Sequence, residues 1–261
     1  MLQGKMIVVT GVSSGIGEKT AQLVRAHGAY VFGVDLKPPR PNLVDAFHRA
    51  DLSKPEEIDD LVQHLPIGID GLANIAGLPP THAPAQVLKV NLVGLKYLTT
   101  ALIPRMAVGA SVVNLASLAG MDWAESLPAI KDSETLLFEN VEEFCHRHGI
   151  QGARSYFFSK EALIAWTLQS RWSWRDQGIR MNAISPGPVR TPILADFLET
   201  LGARAEEDMN VMERPAQPSD IAPVVAFLLS DGAAWIRGSN LAVDGGMHSH
   251  LIALRAGLAE G

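Results

Sequence analysis

The feature that most restricts the fold of this chain is a glycine-rich turn set between an apolar run and a helix-like one. KMIVVT (5–10) reads as a buried strand, TGVSSGIG (10–17) follows at once, and an amphipathic stretch continues to LVRAH. Gly11 permits a tight turn, Gly15 a close approach of backbone to a pyrophosphate, and Gly17 close packing of helix on strand. A helix starting there offers phosphate its free amides and a favourable dipole. Ser13, Ser14 and Ile16 complete the turn. A lone glycine triplet also suits an ordinary surface turn, and it is the place between strand and helix that gives this one weight.

The same alternation continues along the chain. AYVFGVD (29–35), IDGLANIAG (69–77), ASVVNLAS (110–117), IRMNAISPG (179–187) and SNLAVDGG (239–246) are short and rich in β-branched residues. They lack strict polar alternation, the pattern of parallel strands covered on both faces. Gly28 is expected to stop the first helix. Ser53 with Glu56 reads as a capping box for EEIDDLVQHL, and Ser219 and Asp220 are candidate caps for the helix through VVAFLLS. This order predicts an α/β fold with a doubly wound parallel sheet, a Rossmann fold. No linker or repeat interrupts the 261 residues, which are expected to form a single domain, 1–261.

Composition removes several classes of function. The net charge of -6 and the lack of a basic stripe argue against a nucleic-acid surface. Cys145 is the single cysteine, so no intramolecular disulfide can form. MLQGKMIVVTG enters a strand with no basic-then-apolar leader, and no apolar run is expected to reach membrane-spanning length, so a cytoplasmic protein without membrane partners is expected. No metal site is expected either. Cys145 and His148 give two ligands on one helical face, and His248 and His250 read as part of a solvated tail.

Tyr156 and Lys160, four apart in YFFSK, share one face of a helix. A phenol is a poor base at neutral pH, its ordinary pKa being about 10. A lysine at roughly 5 Å, in an effective dielectric of about 20, would favour the phenolate by about 3 kcal/mol, a little over two pKa units. Such pairs also arise by chance on solvated helix faces. Asp35 ends the second strand, where its carboxylate can accept both ribose hydroxyls of NAD and repel the 2′-phosphate of NADP. NAD is therefore the expected cofactor, although Lys37 and Arg40 lie close by.

With TGVSSGIG, Asp51 in ADLS, NIAG (74–77), Asn91, Ser117, YFFSK and PGPVRT (186–191) in this order, the chain resembles the short-chain dehydrogenase/reductase family over nearly its full length. The resemblance implies reversible hydride transfer between an alcohol carbon and the nicotinamide. It implies that Tyr156 exchanges the hydroxyl proton, Ser117 orients the substrate oxygen, Lys160 tunes Tyr156 and grips the nicotinamide ribose, and Asn91 anchors a water relay. It also assigns Asp51 and Leu52 to the adenine edge, and Asn74, Ala76 and Gly77 to the adenosine side. Pro186, Gly187, Val189 and Thr191 fall to the nicotinamide end, and a homodimer or homotetramer is implied. Taken singly, Asn91 could be a polar group at a helix kink and Ser117 a strand-end cap.

Two departures from the family pattern stand out. Ile75 replaces the second asparagine of the usual NNAG. Ser117 and Tyr156 are 39 positions apart (156 − 117) rather than about a dozen, which implies an insertion over roughly 121–153. Within it Leu136, Leu137, Val141, Phe144, Cys145 and His148 approach helical spacing, with Gly149 as a stop. This reads as a lid or altered subunit interface, against the simpler reading of a tolerated surface excursion. The insertion is shared, by resemblance, with a subgroup of coniferyl-alcohol and 3α-hydroxysteroid dehydrogenases.

Candidate substrate-wall residues are Leu78, Pro79, Ile193, Leu194, Phe197, Leu198, Met209 and Met212, an apolar set suited to an apolar alcohol or ketone. An aryl allylic alcohol of the coniferyl type is the first expectation, a 3α-hydroxysteroid or carbonyl compound the second. A catalytically silent NAD sensor or scaffold is the reading of another class.

Overall fold

The computed structural model of the chain describes residues 1–201 and 211–258. Seven parallel strands form one sheet: β1 (Met6–Thr10), β2 (Tyr30–Asp35), β3 (Ala46–Arg49), β4 (Ile69–Asn74), β5 (Met106–Leu115), β6 (Arg180–Pro186) and β7 (Asn240–Val243). Their order is β3-β2-β1-β4-β5-β6-β7. The direction of winding reverses between β1 and β4, which pair with Val8 opposite Leu72. A crevice opens at such a switch point, outside the carboxyl ends of the strands.

The helices are α1 (Gly15–Ala26), α2 (Pro55–His64), α3 (Pro84–Leu88), α4 (Leu95–Leu102), α5 (Leu127–Asp132), α6 (Val141–Arg147), α7 (Ala153–Gln169), α8 (Ile193–Leu201), α9 (Pro218–Leu229) and α10 (Met247–Arg255). Alternate side chains of the buried strands feed two cores. Ile7, Val9 and Val31 pack with Val24 of α1 and Val225 of α9. Val8, Phe32 and Leu72 pack on the other face with Ile58 and Leu61 of α2 and Leu98 of α4. Gly28 ends α1 in the left-handed conformation, φ +87°, as its glycine allows.

Several local expectations change. β3 is an additional strand, short and half-exposed at the sheet edge, where AFHR carries no continuous apolar signal. The Ser53–Glu56 capping box is absent. Lys54 holds the N-cap position because Pro55 starts the helix, and Ser53 instead donates its hydroxyl to Asp51 Oδ1 at 2.7 Å. At α9 the box forms between Gln217 and Asp220, leaving Ser219 inside the helix. His248 and His250 belong to α10 rather than to a loose tail.

The helical run Pro84–Arg105 has the length and, with a mean hydropathy of 1.2, the composition of a membrane span. This corrects the expectation that no apolar run reaches that length. Because 67% of its apolar window is buried within the fold, we read it as a core helix. Between α3 and α4 it widens into a π-helical segment, Lys89–Gly94, which contains Asn91.

Candidate active site

Three glycines shape the floor of a cleft of about 360 Å³ at the switch point. Gly11 has φ +70°, and a Cβ there would lie 2.8 Å from Cα of Ala76. A Cβ on Gly17 would fall 1.9 Å from the Gly11 carbonyl oxygen, and one on Gly15 would stand 3.0 Å from Cγ2 of Thr191. The Thr10 hydroxyl accepts the amides of Ile75 and Ala76 at 3.0 and 3.1 Å, binding the turn after β1 to the turn after β4. Ser14, Gly15, Ile16 and Gly17, at the start of α1, all line the cleft. A backbone kept bare by glycine beside a helix N-terminus fits a dinucleotide pyrophosphate.

At one end of the cleft Asp35 accepts the Ser13 amide on Oδ2 (3.0 Å) and the Lys37 amide on Oδ1 (3.2 Å). Ser13 also donates its hydroxyl to the Lys37 carbonyl, so its part is to hold this turn. Asp51, Leu52, Ala76, Gly77 and Thr191 line the same cleft. Asn74 does not. It is buried, and its amide donates to Thr99 Oγ1 and Asn114 Oδ1, both at 2.9 Å, tying β4 to α4 and β5. Pro186 ends β6 and does not line the cleft, and Gly187 stands against Asp244. Val189 is buried in a bridge to Ala216 and accepts the Thr191 amide at 2.8 Å.

Helix α7 carries Tyr156 and Lys160, and Ser117 stands two residues past the end of β5. Ser117 stands close enough to the Tyr156 phenol to favour its ionised form. Ser117 also accepts the Ala119 amide at 3.2 Å, so it serves as the cap of a short turn as well. Lys160 Nζ donates to the Leu115 carbonyl at 2.7 Å and lies 5.4 Å from the centroid of the Tyr156 ring.

The electrostatics differ from the sequence expectation. Burial pushes the Tyr156 phenol up to about 12, with Ser117 beside it opposing the shift, and burial brings the Lys160 ammonium down to about 8. Desolvation disfavours both charged forms and outweighs the attraction expected between them. Lys160 nevertheless remains a cation at pH 7.

Asn91 braces the loop after β4. Its Oδ1 accepts the Leu78 amide at 2.7 Å, and its Nδ2 donates to the Leu78 carbonyl at 3.0 Å. A Cβ on Gly77 would come 3.3 Å from Asn91 Oδ1 and 3.9 Å from Lys160 Nζ, so Asn91 and Lys160 meet on the same side of that glycine.

The substrate side is formed by segments remote in sequence. Leu78 and Ile193 line the cleft, and Phe197 of α8 meets Tyr156 edge-on with ring centroids 4.7 Å apart. Thr81 donates to Asp196 Oδ1 at 3.0 Å, joining the loop after β4 to α8. Leu194 and Leu198 are half-buried on α8, Pro79 and Met212 are buried, and Met209 lies outside the described residues. His82, Gln86 and Val90 also line the cleft. Nothing in the spacing of Gln86 and Val90 marks them, because the run from α3 through the π-helical segment reads as plain helix.

The insertion is a packed layer. Ile130, Val141, Phe144, Cys145 and Ile150 form a core with Leu88, Leu92, Phe158 and Ala162. Its helix is shorter than expected, Val141–Arg147, and Leu136 and Leu137 precede it in irregular structure. Lys96 reaches across from α4 to the carbonyls of Ser133 (3.3 Å) and Glu134 (3.2 Å). Arg255 of α10 grips Asp122 at 2.7 and 3.0 Å, tying the C-terminal helix to the start of the insertion.

A nucleotide cleft at the switch point, with a tyrosine and a lysine of α7 brought to a serine just past the end of β5, describes an oxidoreductase. Residues 5–129 match the short chain dehydrogenase family, and residues 140–248 match the family described as Enoyl-(Acyl carrier protein) reductase. The chain belongs to the short-chain dehydrogenase/reductase family. It is 44% identical to the coniferyl-alcohol dehydrogenase of Pseudomonas sp. (strain HR199 / DSM 7063), covering 95% of this chain and 98% of that one. It is 32% identical to the 3-alpha-hydroxysteroid dehydrogenase/carbonyl reductase of Comamonas testosteroni, over 93% and 96% of the two chains. The crystal structure of the 3-alpha-hydroxysteroid dehydrogenase from Pseudomonas sp. B-0831 complexed with NADH superposes with a TM-score of 0.84 at 28% identity, covering 95% of this chain and 99% of that one.

Proposed function

We propose that this protein is an NAD-dependent dehydrogenase of aryl allylic alcohols of the coniferyl type. The observation that carries the reaction is the meeting of Ser117 and Lys160 at the Tyr156 phenol, with Lys160 Nζ 5.4 Å from the ring centroid and Phe197 edge-on beside it. Identity of 44% to a coniferyl-alcohol dehydrogenase along almost the whole chain favours this substrate class over a steroid.

The glycine turn, Asp51, Leu52, Ala76, Gly77 and Thr191 would hold the cofactor, with Asp35 at the adenosine ribose end favouring NAD over NADP. When bound, it supplies the hydride acceptor at C4 of the nicotinamide. Ser117 holds the substrate oxygen and fixes its orientation. Tyr156 takes the hydroxyl proton in oxidation and returns it in reduction. Lys160, cationic at pH 7, opposes the cost of a buried phenolate, and Asn91 holds the loop that borders it.

The test is oxidation of coniferyl alcohol and, separately, of a 3α-hydroxysteroid, followed by NADH absorbance, with Tyr156→Phe as control. Coniferyl alcohol is expected to be preferred, and the control to lose about 10²–10⁴-fold in kcat while still binding NAD. Preference for the steroid would replace the substrate assignment. Near-normal turnover by Tyr156→Phe would remove the phenol from the mechanism.

A further inference from the structure

Away from the cleft, β3 and α2 bring two imidazoles and a carboxylate together. His48 lies on the edge strand β3, paired in register with Val34, and Asp60 and His64 stand one turn apart on α2. His48 Nε2 is 3.1 Å from Asp60 Oδ2, and His64 Nδ1 is 3.5 Å from Asp60 Oδ1. One donor atom from each residue lies within 4.8 Å of those of the other two. The two rings are 4.8 Å apart at their centroids and tilted by 40°.

We propose that His48, Asp60 and His64 bind a divalent cation of the zinc type. Two imidazole nitrogens and one carboxylate oxygen are the donor set that borderline cations such as Zn(II) and Co(II) take. With zinc–nitrogen bonds of about 2.0–2.1 Å, donors at neighbouring corners of a tetrahedron are about 3.3 Å apart. The 3.1 Å separation of His48 Nε2 from Asp60 Oδ2 is near that spacing, while His64 Nδ1 stands 3.5 Å from the other oxygen, Oδ1, and has to close on the same point. The remaining closure falls to His64, whose side chain is 58% exposed and whose Nδ1 exchanges its 2.8 Å bond to the Asp60 carbonyl for the cation, while His48, at 18%, is held in place. The fourth position faces solvent and takes water. Two of the ligands are one helical turn apart, and the third comes from the neighbouring strand.

Such an ion would act as a clamp. β3 has only four residues, is half-exposed and closes the sheet edge, and three residues after His48 the chain reaches Asp51 on the cleft wall. A bound cation would fasten this edge strand to α2 on both sides of the turn that carries Asp51. The simpler reading is an ordinary His48–Asp60 ion pair with His64 donating to the Asp60 carbonyl at 2.8 Å. That reading predicts no stoichiometric metal binding.

The experiment uses the full, untagged chain freed of metal by chelation, titrated with Zn(II) by calorimetry and with Co(II) by visible absorption. A single equivalent of Zn(II) is expected, with a tetrahedral Co(II) spectrum and a rise in Tm on loading. His48→Gln and His64→Gln should each weaken binding by at least about tenfold and abolish the rise in Tm. His148→Gln removes the two-donor pair that His148 forms with Asp132 at 2.7 Å, and should leave binding unchanged. Circular dichroism of the metal-free variants checks that each is folded, and His64, being the most exposed, gives the safest variant. No stoichiometric binding, or binding undiminished in folded His64→Gln, would overturn the assignment.

Discussion

Arg154 and Glu161, two helical turns apart on α7, close a two-point ion pair at 2.8 and 2.7 Å on the helix that carries Tyr156 and Lys160. The same guanidinium donates to Ser126 Oγ of the insertion at 2.7 Å and lies over the Phe158 ring. Glu161 is almost fully buried, so the pair fastens the insertion to the catalytic helix through a carboxylate that has little access to water. Arg154→Gln should destabilise the fold by about 2 kcal/mol, the cost of breaking a buried pair reduced for the exposure of Arg154. Denaturant unfolding measures this. The double variant Arg154→Met with Glu161→Met should recover most of the loss, and no recovery would mean that the cost lies in the Ser126 contact instead.

Gly120 is the point where the chain leaving Ser117 touches α7. A Cβ there would fall 2.6 Å from the backbone carbon of Lys160. Gly120→Ala must therefore push the helix away from the strand ends, at about 1–3 kcal/mol. A displacement of about 1 Å at reacting groups can cost about 10²-fold in rate. Steady-state kinetics should show kcat falling far more than KM rises, since the glycine cradle is untouched.

The shifted groups predict a pH dependence of stability. Lys160 titrates near 8 in the fold against an ordinary 10.5. Between those values the unfolded chain holds more protons than the folded one, so stability rises with pH there. Tyr156, near 12 against an ordinary 10, has the opposite sign, and its share falls as pH rises above about 10. Urea unfolding of the wild type and of Lys160→Met at several pH values isolates the lysine. The difference between them should shift in favour of the wild type from pH 8 to 10, and a flat difference would assign Lys160 an ordinary pKa.

Asp35 has two tasks that can be separated. Its carboxylate holds the Ser13 and Lys37 amides and stands at the end of the cleft. Asp35→Asn retains an acceptor for one of those amides but carries no charge to repel a phosphate. The ratio of kcat/KM for NAD over NADP should fall by at least about tenfold with little change in Tm. An unchanged ratio would take cofactor choice away from this residue.

The sheet was largely legible because its inner strands are buried on both faces and so must be apolar in unbroken runs. β3 escaped for the opposite reason, since AFHR is half-exposed and lies at an edge. The glycine turn could be read because each glycine answers a steric demand, and the structure meets those demands through Ala76, Thr191 and the Gly11 carbonyl. Asn74 could not be told from a cleft residue, because an asparagine turned into the core looks the same in a string of letters as one turned outward. Desolvation was likewise invisible. The spacing of Tyr156 and Lys160 gave their proximity, and only the packing around them shows that burial governs both titrations. The triad of His48, Asp60 and His64 depends on β3 and escaped with it.

The hydrogen bond between Thr81 and Asp196 spans 115 positions of sequence and bridges two segments that contribute nothing to any strand. The residues bordering Tyr156 on that side can therefore change without altering a single strand register. Selection for a new alcohol, in nature or in a library, has a set of positions to explore whose failures cost specificity while sparing the architecture.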